Sequence, residues 1–416
     1  APDHPVYLTS KSMHSAWMNS LALKLGNITR NTPDPEGGKI GRDAQGNLSG
    51  ILFETAMDYM TARSYSGFSD YKQTGKIPDH TSEDVAQAML KGQDVAWRAG
   101  LTGVHDFDGV RCFTAYQLLR ERRQLGLRVN KNIPVAYLDQ ALALGLRSGF
   151  GDHWLRLGNV KVFMDGALGP RTATMIEPYE GEPNNYGIAV TDKETLYDYG
   201  RKAMMGGLAM TVHAIGDKAN HDLLDVYEQL RADESQISNL QSPLRHRAEH
   251  LQILHPDDMA RVGKLKIIGS MQPIHATSDM NMVDKYWGKR GVYSYAWRDQ
   301  LNNGAVLAFG SDSPVEPINP LWGIHAAVTR RRADGSPSEE GWYAKQKLTV
   351  SEAVDGYTKG AAYAAKMEDH LGTIEVGKLA DLTIVDRDLF TCDPMMIRDA
   401  AVLGTMVGGE FKFRAI

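Results

Sequence analysis

The sequence predicts an α/β fold, a (β/α)8 barrel of the TIM type with a small C-terminal β portion, and three observations lead there. Seven short apolar runs recur at spacings of about 20 to 50 residues. Between them lie longer stretches that can be written as amphipathic helices, and this alternation is what a parallel sheet of βα units requires. No Gly-x-Gly-x-x-Gly follows the first run, which argues against an open dinucleotide-binding sheet.

In chain order, residues 1–80 read as an elaborated loop and hairpin insertion. Pro33, Pro35, Gly37 and Gly38 interrupt regular structure, and Lys39 to Asp43 and Leu48 to Phe53 read as two strands joined by Ala-Gln-Gly-Asn. Thr81-Ser82-Glu83-Asp84 has helix-start chemistry, and the helix it opens is expected to end at Gly100. The barrel runs follow: Leu101 to Phe107, Val129 to Leu138, Val160 to Met164, Leu208 to Ala214, Arg245 to Leu251, Ile267 to Gln272 and Ala305 to Gly310. The helices between them include Phe113 to Leu125, Lys193 to Gly206, Lys218 to Arg231 and Pro256 to Val262. Thr349-Val350-Ser351-Glu352 has capping-box character and opens a helix over Ala353 to Lys366. The barrel unit is therefore placed at 1–366 and a β portion at 367–416, with strands at Val402 to Val407 and Glu410 to Phe413.

Composition narrows the function classes. A net charge of −5 gives no basic excess for phosphate backbones, so no nucleic-acid partner is expected. No run approaches the ~18 apolar residues of a membrane span. Cys112 and Cys392 lie far apart without metal-site or redox spacing, which fits a reducing, cytoplasmic compartment. The first residues show neither a charged leader nor a secretory apolar segment.

The strand ends carry the chemistry. In a parallel barrel the carboxyl ends of the strands form the functional face. Asp312 follows Val306 to Phe309 there; taken alone, Ser311-Asp312-Ser313-Pro314 reads better as a turn. Lys161 sits inside the apolar Val160 to Met164 run, where an unpaired ammonium is costly. His213 ends Met210-Thr211-Val212-His213, and His250 ends His246-Arg247-Ala248-Glu249-His250, with His246 a competitor because residues four apart on a strand share a side. Single histidines at strand ends are usually structural. Four such residues facing one mouth instead favour a divalent metal site, because two imidazoles and a carboxylate are donors that zinc selects.

The ordered segments Lys161 to Ala173, Thr211 to Asn220, Arg245 to Gln252, Met271 to His275 and Phe309 to Glu316 together resemble the amidohydrolase superfamily, specifically its third family, the branch that includes N-substituted formamide deformylases. Gly372 to Leu382 is similar to that family's C-terminal return into a β-sandwich. The resemblance implies a metal-dependent hydrolase acting on a small-molecule amide or related C–N bond. It implies one or two divalent ions, zinc, with Lys161, His213, His250 and Asp312 as ligands, Lys161 carboxylated, and Asp312 also the catalytic proton carrier. His14, Asp165, Arg171 and His275 match positions near the substrate mouth. The family's first barrel strand ends in a His-x-His pair, and no such pair occurs in this sequence. The first strand is therefore expected to be missing from this chain, supplied by an absent N-terminal segment or a second copy. A catalytically silent or regulatory ligand-binding relative is the alternative, and a lyase or isomerase on the same scaffold stays open.

Overall fold

The computed structural model describes residues 3–60, 80–235 and 243–415; residues 61–79 of the 1–80 insertion lie outside them. The described part of the insertion is an antiparallel sheet of β1 (Tyr7–Thr9), β2 (Ser15–Met18), β3 (Gly38–Arg42) and β4 (Leu48–Glu54), in the order β1-β2-β4-β3. The β3–β4 connection turns as its sequence requires: Asp43 Oδ1 accepts the N–H groups of Gln45 and Asn47, and Gly46 takes the left-handed backbone, φ 80°. Ala16, Met18, Ile40, Leu52 and Met57 give this sheet an apolar core of its own.

Thr81 opens the next helix, Ser82–Arg98, with a full capping box in which Thr81 and Asp84 cap each other. The barrel strands then follow: β5 (Gly103–Asp106), β6 (Arg128–Pro134), β7 (Leu155–Phe163), β8 (Met210–Ala214), β9 (Arg247–His250), β10 (Ile268–Met271) and β11 (Val306–Phe309). They form one parallel seven-stranded sheet in strict sequence order, with β5 and β11 at its edges. β8 at the centre is wholly buried, and of the two edge strands β5 is half-buried while β11 is buried except at Val306.

Alternation along the strands separates two interiors. Val160, Val162, Met210, Val212 and Ala248 join the apolar core. Lys161, Thr211, His213, Arg247, Glu249 and Ser270, the residues between or beside them, form a second, polar set of contacts.

Three predicted elements differ in detail. The second barrel run, Val129 to Leu138, stops pairing at Pro134, which lacks the N–H to continue the ladder. The Pro256 to Val262 helix is instead a 3₁₀ turn, Pro256–Asp258, and a four-residue helix, Arg261–Lys264, where Gly263 lies so close to Asn303 O that a Cβ would meet it at 2.0 Å. The Ala353 to Lys366 helix is split by a π turn at Gly356–Gly360. A Cβ on Gly360 would meet Leu307 O at 1.9 Å, so the widened, side-chain-free turn lets the backbone lie against β11.

The C-terminal part forms a sheet of β12 (Leu382–Val385), β13 (Val402–Val407) and β14 (Glu410–Arg414). It docks at the amino end of the barrel. Thr383 and Thr405 donate their hydroxyls to Gly100 O and Trp97 O, both at 2.6 Å. Asp381 holds Arg128, the first residue of β6, through two bonds of 2.8 Å. The opposite, carboxyl end of the strands is left for the residues of interest. Among the described residues no helix is long and apolar enough to cross a membrane.

Candidate metal centre

On β8, Thr211 and His213 share a side by simple alternation. His213 Nε2 lies 3.0 Å from Gly166 O; a carbonyl only accepts, so Nε2 carries the proton and Nδ1 is the ring's free donor atom. On β9 the same alternation places Arg247 and Glu249 together and sends Ala248 to the helix side. His250 would follow Ala248, but its backbone is left-handed, φ 79°, and this turns its ring to meet His213, centroid to centroid at 4.5 Å. His250 Nδ1 donates to Gln272 Oε1 at 2.8 Å, leaving Nε2 free. The same break in alternation separates His250 from its competitor. His246 precedes β9, stacks on Tyr227 and accepts the Met210 N–H at 3.0 Å, fully buried on the helix side.

Burial holds these imidazoles neutral: His213 is pushed well below its usual range by burial, then by His250, and His250 is pushed to about 4 by burial against the pull of Asp312. Neutral imidazole is the form that binds a metal.

Asp312 lies in a turn and also brings its carboxylate to the mouth. Its C=O accepts the Val315 N–H at 2.8 Å, closing a turn, while its left-handed backbone, φ 58°, carries the carboxylate to within 3.5 Å of His275 Nε2. His275 lies between two acids, with Glu316 3.6 Å from Nδ1. Burial lowers its pKa, but Asp312 and Glu316 outweigh burial and raise it to about 10. One donor atom from each of His250, His275 and Asp312 lies within 4.8 Å of the others.

Lys161 is buried, with Nζ 4.2 Å from the Phe163 ring centre and 5.3 Å from that of Phe107. Burial lowers its pKa to about 8, with Glu249 and Asp312 opposing. Asp165 lies behind His213 rather than open to the mouth: it is fully buried and accepts the N–H groups of Thr174, Ile215 and Gly216 at 2.9–3.0 Å, and burial raises it to about 7. Arg171, on the loop after β7, is engaged by Glu182 at 2.6 Å. His14 reaches the centre from the small sheet, its ring 5.0 Å from that of His213.

Sequence reasoning passed over Arg247, Glu249, Gln272 and Glu54. Arg247 is 2% exposed and pairs with Glu249 at 2.9 Å, donates to Ser270 at 2.8 Å and to His105 Nδ1 at 2.8 Å. Its signal was present, since an arginine and an acid two residues apart in a strand buried on both faces must pair. The aromatic residues considered for a pocket divide: Trp287, Tyr295 and Trp297 are core, whereas Trp17 is half-exposed.

A parallel barrel-type sheet whose carboxyl ends gather imidazoles, a lysine and a carboxylate defines the class of metal-dependent hydrolases. Within that class, the chain belongs to the amidohydrolase family, whose model matches residues 1–413. It is 34% identical to Protein LONG AFTER FAR-RED 3 of Arabidopsis thaliana, over 99% of this chain and 69% of that protein. The putative amidohydrolase YtcJ of Bacillus subtilis is 32% identical over 99% of this chain and 74% of its own length. N-substituted formamide deformylase of Arthrobacter pascens is 27% identical, again over 99% and 74%. Among solved structures, an uncharacterized metal-dependent hydrolase from Pyrococcus horikoshii superposes with a TM-score of 0.74 at 29% identity, over 94% of this chain and 73% of that one.

Proposed function

We propose that this hydrolase cleaves a non-peptide amide or related C–N bond of a small molecule, using a divalent cation held by His213, His250, Asp312 and Lys161. The observation that carries the reading is the tethering of the two histidines. Each has one ring nitrogen bonded to a neutral acceptor, Gly166 O or Gln272 Oε1, which leaves the other nitrogen free in rings 4.5 Å apart. Metal-binding histidines are tethered in this way. His275, although within the compact trio, has an acid beside each of its nitrogens, which suits a partner for Asp312 better than a ligand.

Imidazole with carboxylate favours zinc. Lys161 joins the set as a carbamate: its free amine adds CO2, loses a proton and becomes an anionic oxygen donor, and a pKa near 8 raises the free-amine fraction. The bound cation supplies a water of lowered pKa and a polarised carbonyl. Asp312 takes the proton of the attacking water and returns it to the leaving nitrogen, with His275 holding the carboxylate in place. The half-buried edge strand β5 supports an eighth strand as the closing element between β5 and β11 in the active form.

Zinc content after loading tests the ligand assignment. His213→Asn and His250→Asn are expected to lose the ion and His275→Asn to keep it; retention in His213→Asn with loss in His275→Asn would sink the assignment. Likeness to a formamide deformylase makes N-substituted formamides the first substrates to assay, followed by N-acyl amines and cyclic amides. Wild-type protein that takes up no zinc would favour the silent, ligand-binding alternative.

A further inference from the structure

The amino end of the barrel, opposite the candidate metal centre, holds two cations that the chain leaves unanswered. Arg156 is the second residue of β7, and Lys366 follows the short helix Ala361–Ala364. Both are half-buried. They share the space over Gly149, a left-handed residue at φ 93°, where a Cβ would lie 3.4 Å from Arg156 Nη2 and 3.8 Å from Lys366 Cδ. Among the described residues neither cation has a hydrogen-bond or ion-pair partner, and Arg156 Nε is sealed from solvent without an acceptor.

The acids nearest to them are all committed elsewhere. Asp152 accepts from Arg120 at 2.6 Å and from the N–H groups of Trp154 and Leu155. Glu368 accepts from both terminal nitrogens of Arg245, and Glu234 from Arg231 at 2.5 Å and from the Leu244 N–H. Burial lowers the pKa of Lys366, and Arg245 and Arg156 lower it further; burial also lowers that of Arg156. Snorkelling to water would serve one such residue, but not an Nε from which water is excluded, nor two like charges over one glycine.

We propose that Arg156 and Lys366 form an oxyanion site at the amino end of the barrel, and that its ligand is a phosphate group. A guanidinium offers paired N–H donors matched to phosphate oxygens, and the ammonium adds a compact charge, so the two together balance a dianion. A carboxylate or halide would balance only one of them. Bound there, phosphate ties the loop before β7 to the segment that leads from the barrel into the C-terminal sheet. The free ion and a phosphomonoester present the same chemistry; Phe150, 68% exposed on the same loop, offers a ring to the organic part of a monoester. The site goes beyond the hydrolase reading and does not depend on it.

Protein labelled with ¹⁵N-arginine is titrated with inorganic phosphate and with phenyl phosphate, each against sodium chloride at equal ionic strength. The Arg156 Nε signal, assigned by its loss in Arg156→Lys, is expected to shift and saturate with phosphate and not with chloride. Because the signal reports this end of the barrel alone, phosphate taken up by a metal at the mouth does not enter the result. Lys366→Gln should weaken phosphate binding at Arg156 by about tenfold or more. Lys345→Gln, which removes an exposed lysine elsewhere, should leave it within about twofold. Tighter binding of phenyl phosphate than of phosphate supports a phosphomonoester at the site, and equal or weaker binding supports the free ion. An Arg156 signal that phosphate moves no more than chloride does overturns the site. Equal weakening in Lys366→Gln and Lys345→Gln overturns it as well, because the effect would then be one of net charge.

Discussion

Glu249→Gln tests the polar interior of the barrel most directly. The carboxylate is 3% exposed, lies 2.9 Å from Arg247 Nε and accepts the Thr211 hydroxyl. Glutamine keeps the size and an acceptor for Thr211 and deletes the charge. Arg247 then retains only Ser270 and His105 as partners. The second of these is neutral, because burial and the adjacent guanidinium push it to about 3. Lys161 also loses the carboxylate that most opposes its desolvation. Breaking a buried ion pair from one side costs about 3–5 kcal/mol, a fifth or more of a typical net stability of about 5–15 kcal/mol. Removing both charges should be milder. In Arg247→Met/Glu249→Gln no arginine is stranded, and the residual cost is that of the guanidinium bonds lost by His105 and Ser270, about 1–3 kcal/mol. Urea midpoints for wild type, the two single variants and the double variant, compared at constant m, measure this. The double variant should be more stable than Glu249→Gln by roughly 2 kcal/mol. Additive losses, or a Glu249→Gln loss under about 1 kcal/mol, would show that the pair is not an isolated buried charge pair.

Three further outcomes follow from the same contacts. Gln272→Ala frees His250 Nδ1 and should weaken zinc binding about 10- to 100-fold in a competition titration with a chromophoric chelator; unchanged affinity would mean that His250 needs no support. His246 is held neutral by burial, so its folded pKa lies below the ordinary 6.5; below that pH the unfolded chain binds a proton that the fold refuses, and stability falls as pH falls. His246→Gln should therefore flatten the decline in urea stability from pH 7 to 5 by up to about 1.4 kcal/mol per pH unit, and identical slopes would refute it. Asp381→Ala strands Arg128, which is buried at the amino end of β6, and should cost about 3–5 kcal/mol of stability with zinc affinity unchanged; loss of zinc would show that the C-terminal sheet supports the mouth after all.

The barrel was legible because its strands announce themselves as short apolar runs, and the helix starts at Thr81 and Thr349 because a capping box is a local code. Lys161 and His213 were legible for a related reason: one polar residue in an apolar run needs an explanation, and alternation gives its side. Period-two reasoning then failed at His250. It predicted that His246 and His250 share a face, and the left-handed backbone at His250 removes that equivalence. Glu54 was illegible for another reason, since its partners His14 and Thr172 stand 40 and 118 residues away and only the folded register joins them. The backbone marks what the sequence conceals. Among the described residues, the left-handed non-glycine positions Asn27, Arg123, Lys266, Arg330 and Lys366 follow helix ends, where that conformation satisfies the last carbonyls. Met13, Glu54, Arg171, His250 and Asp312 follow no helix and lie in or beside the candidate metal centre and its mouth, while Leu251, Tyr295 and Tyr343 share the conformation and belong to neither group. Glycine would relieve the strain at each, at the loss of the side chain. A strained residue that is not glycine is kept for what its side chain reaches, and at Glu54 that is His14.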